Sequence, residues 1–242
     1  MCLRGFMARR HAGAPRRAGY AKRLVIMAKS PDMGRVKRRL ARGIGGSAAT
    51  RFYRSCLAHT LLRLAPDPRW RTVLAVDPGR DLATRFAPLR KLVVVVPQGE
   101  GDLGARMQRL FKRLPPGPTL VVGSDIPAIR PVHIAEAFRL LAGADAVLGP
   151  AQDGGYWLVG LKRTLRVPAP FGGVRWSGPH ALADTLANLK DKRVAVAAPL
   201  SDVDTEEDFR LGRARVERLI LGPGAHEAAK APQALVRTAG WP

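Results

Sequence analysis

The chain has 242 residues, of which 46% are hydrophobic, enough for one sizeable core without a second domain. No apolar run reaches membrane-spanning length. Cys2 and Cys56 form neither a metal-binding pattern nor a disulfide framework, which fits a reducing compartment and a cytoplasmic location. The formal net charge of +22 favours anionic partners such as nucleotides, nucleic acid or a membrane surface.

The charge is unevenly spread: residues 1–23 carry Arg4, Arg9, Arg10, Arg16, Arg17, Lys22 and Arg23 without an acidic residue, and the rest of the chain is still basic. This head lacks the apolar core of a secretory signal. Residues 1–21 are read as a basic, disordered extension, with a transit-like or nucleic-acid-contacting arm as the other reading.

From residue 22 to 221 strand and helix patterns alternate. Leu24–Ala28 is a short apolar run, expected as a buried strand. A basic loop punctuated by Pro and Gly follows, Lys29 to Gly46. Tyr53, Cys56, Leu57, Thr60, Leu61 and Leu64 fall at helical spacing and Pro66 ends that helix. Thr72–Val76 reads as the second strand, closed by Asp77-Pro78-Gly79. Leu92–Val96, with four consecutive valines, reads as a third strand buried on both faces. Leu103, Met107, Leu110, Phe111 and Leu114 mark a helix, and Thr119–Val122 the next strand. A helix follows Pro131, which suits a first turn. Ala144–Leu148 and Tyr156–Leu161 are strands around a glycine-rich link, Leu182 to Leu189 a helix, and Val194–Ala198 a late strand. A final helix begins near Thr205, an N-cap followed by acidic residues. Residues 222–242 lose periodicity and read as an irregular tail.

Such alternation predicts a single α/β domain: a mostly parallel, Rossmann-like sheet with helices on both faces. Ligands of such sheets bind beyond the carboxyl ends of the strands, so the residues that follow each strand are the candidates. After the first strand, Lys29, Gly34, Arg35 and Lys37, with Arg38 and Arg39, form a basic loop suited to phosphate. It is neither a Walker A loop nor G-x-G-x-x-G. Asp125, in Gly123-Ser124-Asp125-Ile126-Pro127, leaves a buried strand as a carboxylate and is a candidate ligand for Mg²⁺ or Mn²⁺; the bland alternative is a helix cap. Asp153, in a Gly154-Gly155-Tyr156 context, suits contact with a substrate hydroxyl, or simply a tight turn. Of Asp202 and Asp204, only Asp204 is expected to face Asp125; capping of the last helix is its alternative role. Asp102 suits an N-cap, and Arg106 one turn on is placed to reach a phosphate or a base. No Ser/His/Asp set and no histidine metal pattern is evident.

Six ordered runs carry a resemblance: MAKSPDMGRVKRRL, QGEGDLGARM, VVGSDIP, LGPAQDGGYWLVGL, FGGVRWSGP and LSDVDTEEDF. Together they resemble the DUF2064 family of glycosyltransferase A-like proteins, some described as arsenosugar-biosynthesis-associated transferases. More distantly the chain is similar to molybdenum-cofactor and phospholactate guanylyltransferases. The resemblance implies a GT-A, nucleotide-diphospho-sugar-transferase fold, with Lys29, Arg35 and Lys37 at nucleotide phosphates and Asp125 as the metal-binding carboxylate, joined by Asp204. Two departures stand out. Lys37-Arg38-Arg39-Leu40 replaces the usual Lys-Thr-Arg-Leu, and His59 stands where an aspartate is common.

The expected activity is metal-dependent transfer from a nucleotide or nucleotide-sugar, with glycosyl transfer to a small-molecule acceptor favoured by the resemblance. Asp125 and Asp153 are the expected catalytic residues, and Gly154, Gly155 and Tyr156 the substrate-binding ones. Nucleotidyl transfer with release of pyrophosphate uses the same parts. A non-catalytic nucleic-acid-binding role would rest on charge alone, since the sequence lacks the interleaved aromatics of a stacking platform.

Overall fold

The computed structural model describes residues 20–77, 89, 92–164 and 166–211. The basic extension up to residue 19 and the tail 222–242 lie outside the described residues, as does the expected end of the domain after residue 211. The described elements are β1 (Arg23–Lys29), α1 (Arg38–Ile44), α2 (Gly46–Leu64), β2 (Arg71–Asp77), β3 (Val94–Pro97), α3 (Leu103–Arg113) and β4 (Gly117–Gly123). They continue with α4 (Pro131–Gly143), β5 (Ala146–Pro150), β6 (Tyr156–Arg163), α5 (Ala181–Asn188) and β7 (Val194–Val196). Residues 206–211 are also helical.

The strands form one sheet in the order β3-β2-β1-β4-β6-β5-β7. Among the described strands β6 alone runs antiparallel to its neighbours, β4 and β5; the other pairings are parallel. The α/β fold expected from the alternation is therefore present. Successive residues of β1 point to opposite faces, and both are covered. Leu24 and Ile26 pack with Leu57, Leu61, Phe138 and Leu141 from α2 and α4. Val25 packs on the other side with Met107, Leu110 and Phe111 of α3. Burial on both faces is why the central strands read as unbroken apolar runs. The strands also pack closely where β6 crosses the sheet: a Cβ at Gly160 would lie 2.3 Å from Leu120 Cδ2 and 2.6 Å from Val147 Cγ1.

Three expectations need correction. The segment Lys29 to Gly46 is not all loop: its second half forms α1, and α2 begins directly afterwards. Val36 and Leu40, one turn apart, are its main buried anchors, too few to give a helical apolar period. The valine run is not a doubly buried strand. β3 lies at the sheet edge, and Val94 is 63% exposed. The fifth strand starts at Ala146 rather than Ala144, because α4 runs on to Gly143.

Candidate active site

The parallel strands bring their carboxyl ends to one edge, where the loops are tied by backbone hydrogen bonds. The Ser30 amide donates to the Asp77 carbonyl at 2.7 Å, joining the ends of β1 and β2. Gln98, buried beyond β3, donates through Nε2 to the carbonyls of Ala28 and Ala75 at 3.0 and 2.9 Å. Tyr53 of α2 reaches between β1 and β4. Its hydroxyl accepts the Lys29 N–H at 2.7 Å and lies 3.1 Å from both the Lys29 carbonyl and Ser124 Oγ. Burial pushes this phenol up to about 12, so it stays protonated.

Beyond β4, three segments converge on one ammonium group. Lys37 Nζ lies 2.6 Å from Asp125 Oδ2 and 3.2 Å from Asp204 Oδ1, and its side chain is only 4% exposed. Burial alone would lower the Lys37 pKa, but the charge of Asp125, a hydrogen bond to it, and the charges of Asp204 and Asp202 together raise it. The Lys37 backbone sits in the left-handed region, at φ 48° and ψ 47°. A non-glycine residue pays for this conformation, and such outliers gather at functional sites. Arg39 Nη1 adds a second cation, 3.4 Å from Asp204 Oδ2.

The Asp204 segment is held from both ends. The Val203 amide donates to the Asp125 carbonyl at 3.3 Å. Thr205 caps the last helix, its Oγ1 accepting the Asp208 amide at 3.2 Å while Asp208 Oδ2 accepts the Thr205 amide at 2.8 Å. Phe209 packs edge-on against Phe52 of α2. Thr205, not Asp204, is thus the capping residue, and Asp125 is not a cap either, since α4 is capped at Arg130. Of Asp202 and Asp204, it is Asp204 that pairs with Lys37 in the cluster. Burial, then the charge of Asp125, pushes the Asp202 carboxyl up to about 6, with Asp204 and Asp153 adding to it. Val203, between the two aspartates, turns into the core at 7% exposure.

Two clefts flank this cluster. One, of about 310 Å³, is lined by Lys29, Ser30, Gly34, Arg35, Arg38 and Asp77. The other, of about 380 Å³, is lined by Arg39, Asp153, Ser177, Gly178, Pro179 and Asp204. Adjacent arginines thus face different clefts, and Asp204, paired with Lys37, lines the second. Gly34 at φ 79° supplies the turn that folds the basic loop.

The expected site residues are distributed as follows. Lys29, Gly34 and Arg35 line the basic cleft; Asp153 and Asp204 line the other; Lys37 pairs with Asp125 and with Asp204. Arg106 is turned to the protein: it pairs with Asp77 and donates through Nε to the Gly101 carbonyl at 2.8 Å. Asp153 Oδ1 accepts the Gly155 amide at 2.9 Å. The close backbone approach expected at the paired glycines is to the protein's own chain, since a Cβ at Gly154 would lie 2.4 Å from the Pro179 carbonyl oxygen. Tyr156 is half-buried, its hydroxyl 3.4 Å from Thr185 Oγ1 and its ring edge-on to Trp176.

Sequence reasoning missed Asp77, Tyr53, Ser177 and Pro179. Asp77 ends a central strand, so the rule that picked Asp125 would have found it. Tyr53 looks like any core position of a helix. Nothing local marks Ser177, although its φ of 65° is strained.

The strand order and the polar edge define an α/β chain of the nucleotide-diphospho-sugar-transferase fold. Residues 60–178 match the model of the DUF2064 family, described as an uncharacterized protein conserved in bacteria, which bears out the resemblance read from the sequence. A solved candidate nucleotide-diphospho-sugar transferase from Desulfovibrio desulfuricans G20 is 25% identical. The match covers 87% of this chain and 92% of that one, with a TM-score of 0.72. Two others share the fold. A 4-diphosphocytidyl-2C-methyl-D-erythritol synthase from Anaerococcus prevotii DSM 20548 is 13% identical over 83% of this chain and 97% of its own, TM-score 0.56. A nucleotidyl transferase from Methanothermobacter is 16% identical over 83% and 100%, also at TM-score 0.56. No curated protein matches the chain in sequence. No helix among the described residues is long and apolar enough to cross a membrane.

Proposed function

We propose that this protein is a transferase that binds a nucleotide or nucleotide-sugar with Mg²⁺ or Mn²⁺ and transfers its glycosyl group to a small-molecule acceptor. The observation that carries this reading is the convergence of Asp125, Lys37 and Asp204, with Asp204 lining one polar cleft and Arg35 and Arg38, on either side of Lys37 in the chain, lining a basic one. The fit to a hard divalent cation rests on the donors. Asp125 and Asp204 direct carboxylate oxygens at one point, and Lys37 Nζ stands there as a positive charge. These two residues would hold the metal, which when bound would neutralise charge building on a diphosphate.

The remaining steps belong to the chain's own residues. Lys29, Arg35 and Arg38 receive the phosphates in the basic cleft. Asp153, in the other cleft, accepts the proton of the acceptor hydroxyl. The acceptor oxygen then bonds to the sugar carbon as the bond from that carbon to the diphosphate breaks, and the nucleoside diphosphate leaves with the electron pair. The same parts serve nucleotidyl transfer, in which pyrophosphate leaves instead.

A thermal-shift panel of nucleotides and nucleotide-sugars, with and without Mg²⁺ or Mn²⁺, tests the reading. A ligand at about 100 times its Kd adds about 2.7 kcal/mol, a rise on the order of 5–10 °C for a chain of this size. The expected result is a metal-dependent shift with one nucleotide class. Product analysis then separates the reactions: nucleoside diphosphate for glycosyl transfer, pyrophosphate for nucleotidyl transfer. A flat panel across all nucleotide classes would defeat the proposal.

A further inference from the structure

We propose that Lys37 is a tethered counter-ion that closes the Asp125–Asp204 pair in the ligand-free protein and must leave it for a divalent cation to bind, so that metal and nucleotide enter together. This rests on the reading of the site given above and adds how its loading is controlled.

Three observations carry it. First, Lys37 Nζ already contacts the facing oxygen of each carboxylate, at 2.6 and 3.2 Å. A cation coordinated by the same oxygens would sit against the ammonium, and two positive charges at that separation repel strongly in a partly buried site. Second, among the described residues no group of three or more His, Cys, Asp or Glu is gathered in a metal-holding arrangement. The two carboxylates leave most positions of a six-coordinate ion to be filled by phosphate oxygens and water. Third, the residue adjoining Lys37, Arg38, lines the basic cleft. A polyphosphate bound there offers the released ammonium a new anion nearby. Leaving the pair also gives the Lys37 backbone freedom to abandon its left-handed conformation.

The consequence is a reciprocal coupling: nucleotide strengthens metal binding and metal strengthens nucleotide binding by the same factor. Mn²⁺ binding, read as loss of the free-ion EPR signal, tests it without reference to turnover. Mn²⁺ alone should bind Lys37→Met more tightly than wild type, by on the order of tenfold or more, while Lys37→Arg, which keeps a cation, should remain weak. Adding Asp125→Asn to Lys37→Met should abolish the gain. Equal Mn²⁺ affinity in wild type and Lys37→Met would overturn the proposal, as would a gain that survives Asp125→Asn. Should Lys37→Met fail to fold, wild type decides alone. UDP and GDP are each titrated with and without Mn²⁺, against protein-free controls for the metal–nucleotide complex. An affinity unchanged by Mn²⁺ for whichever of them binds overturns the coupling. Binding of neither, with a flat thermal-shift panel, would instead defeat the transferase reading.

Discussion

Lys37 Nζ sits 2.6 Å from Asp125 Oδ2, joining the loop after β1 to the loop after β4 across the carboxyl edge of the sheet. The two residues are far apart in sequence, and each belongs to a segment that a backbone constraint holds in place: the left-handed Lys37 itself, and the Asp125 carbonyl that accepts the Val203 amide.

Asp125→Asn removes one negative charge from the pair while nearly preserving shape. The nucleotide-dependent thermal shift should lose its metal-dependent part. Turnover should fall about a hundredfold or more, on the order of 3 kcal/mol of barrier. Full metal-dependent activity in the variant would exclude Asp125 from the role assigned to it.

Tyr53→Phe tests the strut under the site. It leaves the Lys29 amide and Ser124 Oγ without their common partner in a buried setting. Urea unfolding should show a loss of about 1–3 kcal/mol. Nucleotide affinity should weaken as well, because Lys29 opens the basic cleft. A variant as stable as wild type would show that water replaces the phenol there.

Gly154→Ala places a methyl against the Pro179 backbone and strains a residue at φ 81°. The cost should exceed about 1 kcal/mol. The loop carrying Asp153 should also shift relative to Ser177 and Pro179, raising the KM for the acceptor more than that for the nucleotide. Equal effects on both would argue against assigning the second cleft to the acceptor.

Asp202 makes stability depend on pH. Its carboxyl is pushed up to about 6, above its value in the unfolded chain, so the folded protein takes up this proton first as pH falls. Its contribution is favourable at acid pH and is lost as pH rises through about 6. Asp202→Asn should therefore melt higher than wild type at about pH 7.5 and nearly the same at about pH 4. A difference independent of pH would contradict the assignment.

The sequence alone was enough for the alternation of elements, the buried central strands and the family resemblance, because each rests on local periodicity or on runs of adjacent residues. It also picked out Asp125, Asp153, Lys37 and the basic loop, because the carboxyl ends of parallel strands share one edge whatever the details. It did not show that Lys37 turns to the carboxylates of Asp125 and Asp204, nor that Arg38 and Arg39 face different clefts. Those outcomes depend on one left-handed residue and on a helix, α1, with too little apolar surface to leave a pattern. Nor could it show that Arg106 is engaged by Asp77, or that the Gly154 backbone meets Pro179. Such contacts join segments distant in the chain, and only the packed sheet, with α3 and α5 laid against it, decides which polar groups meet each other and which are left to face a ligand.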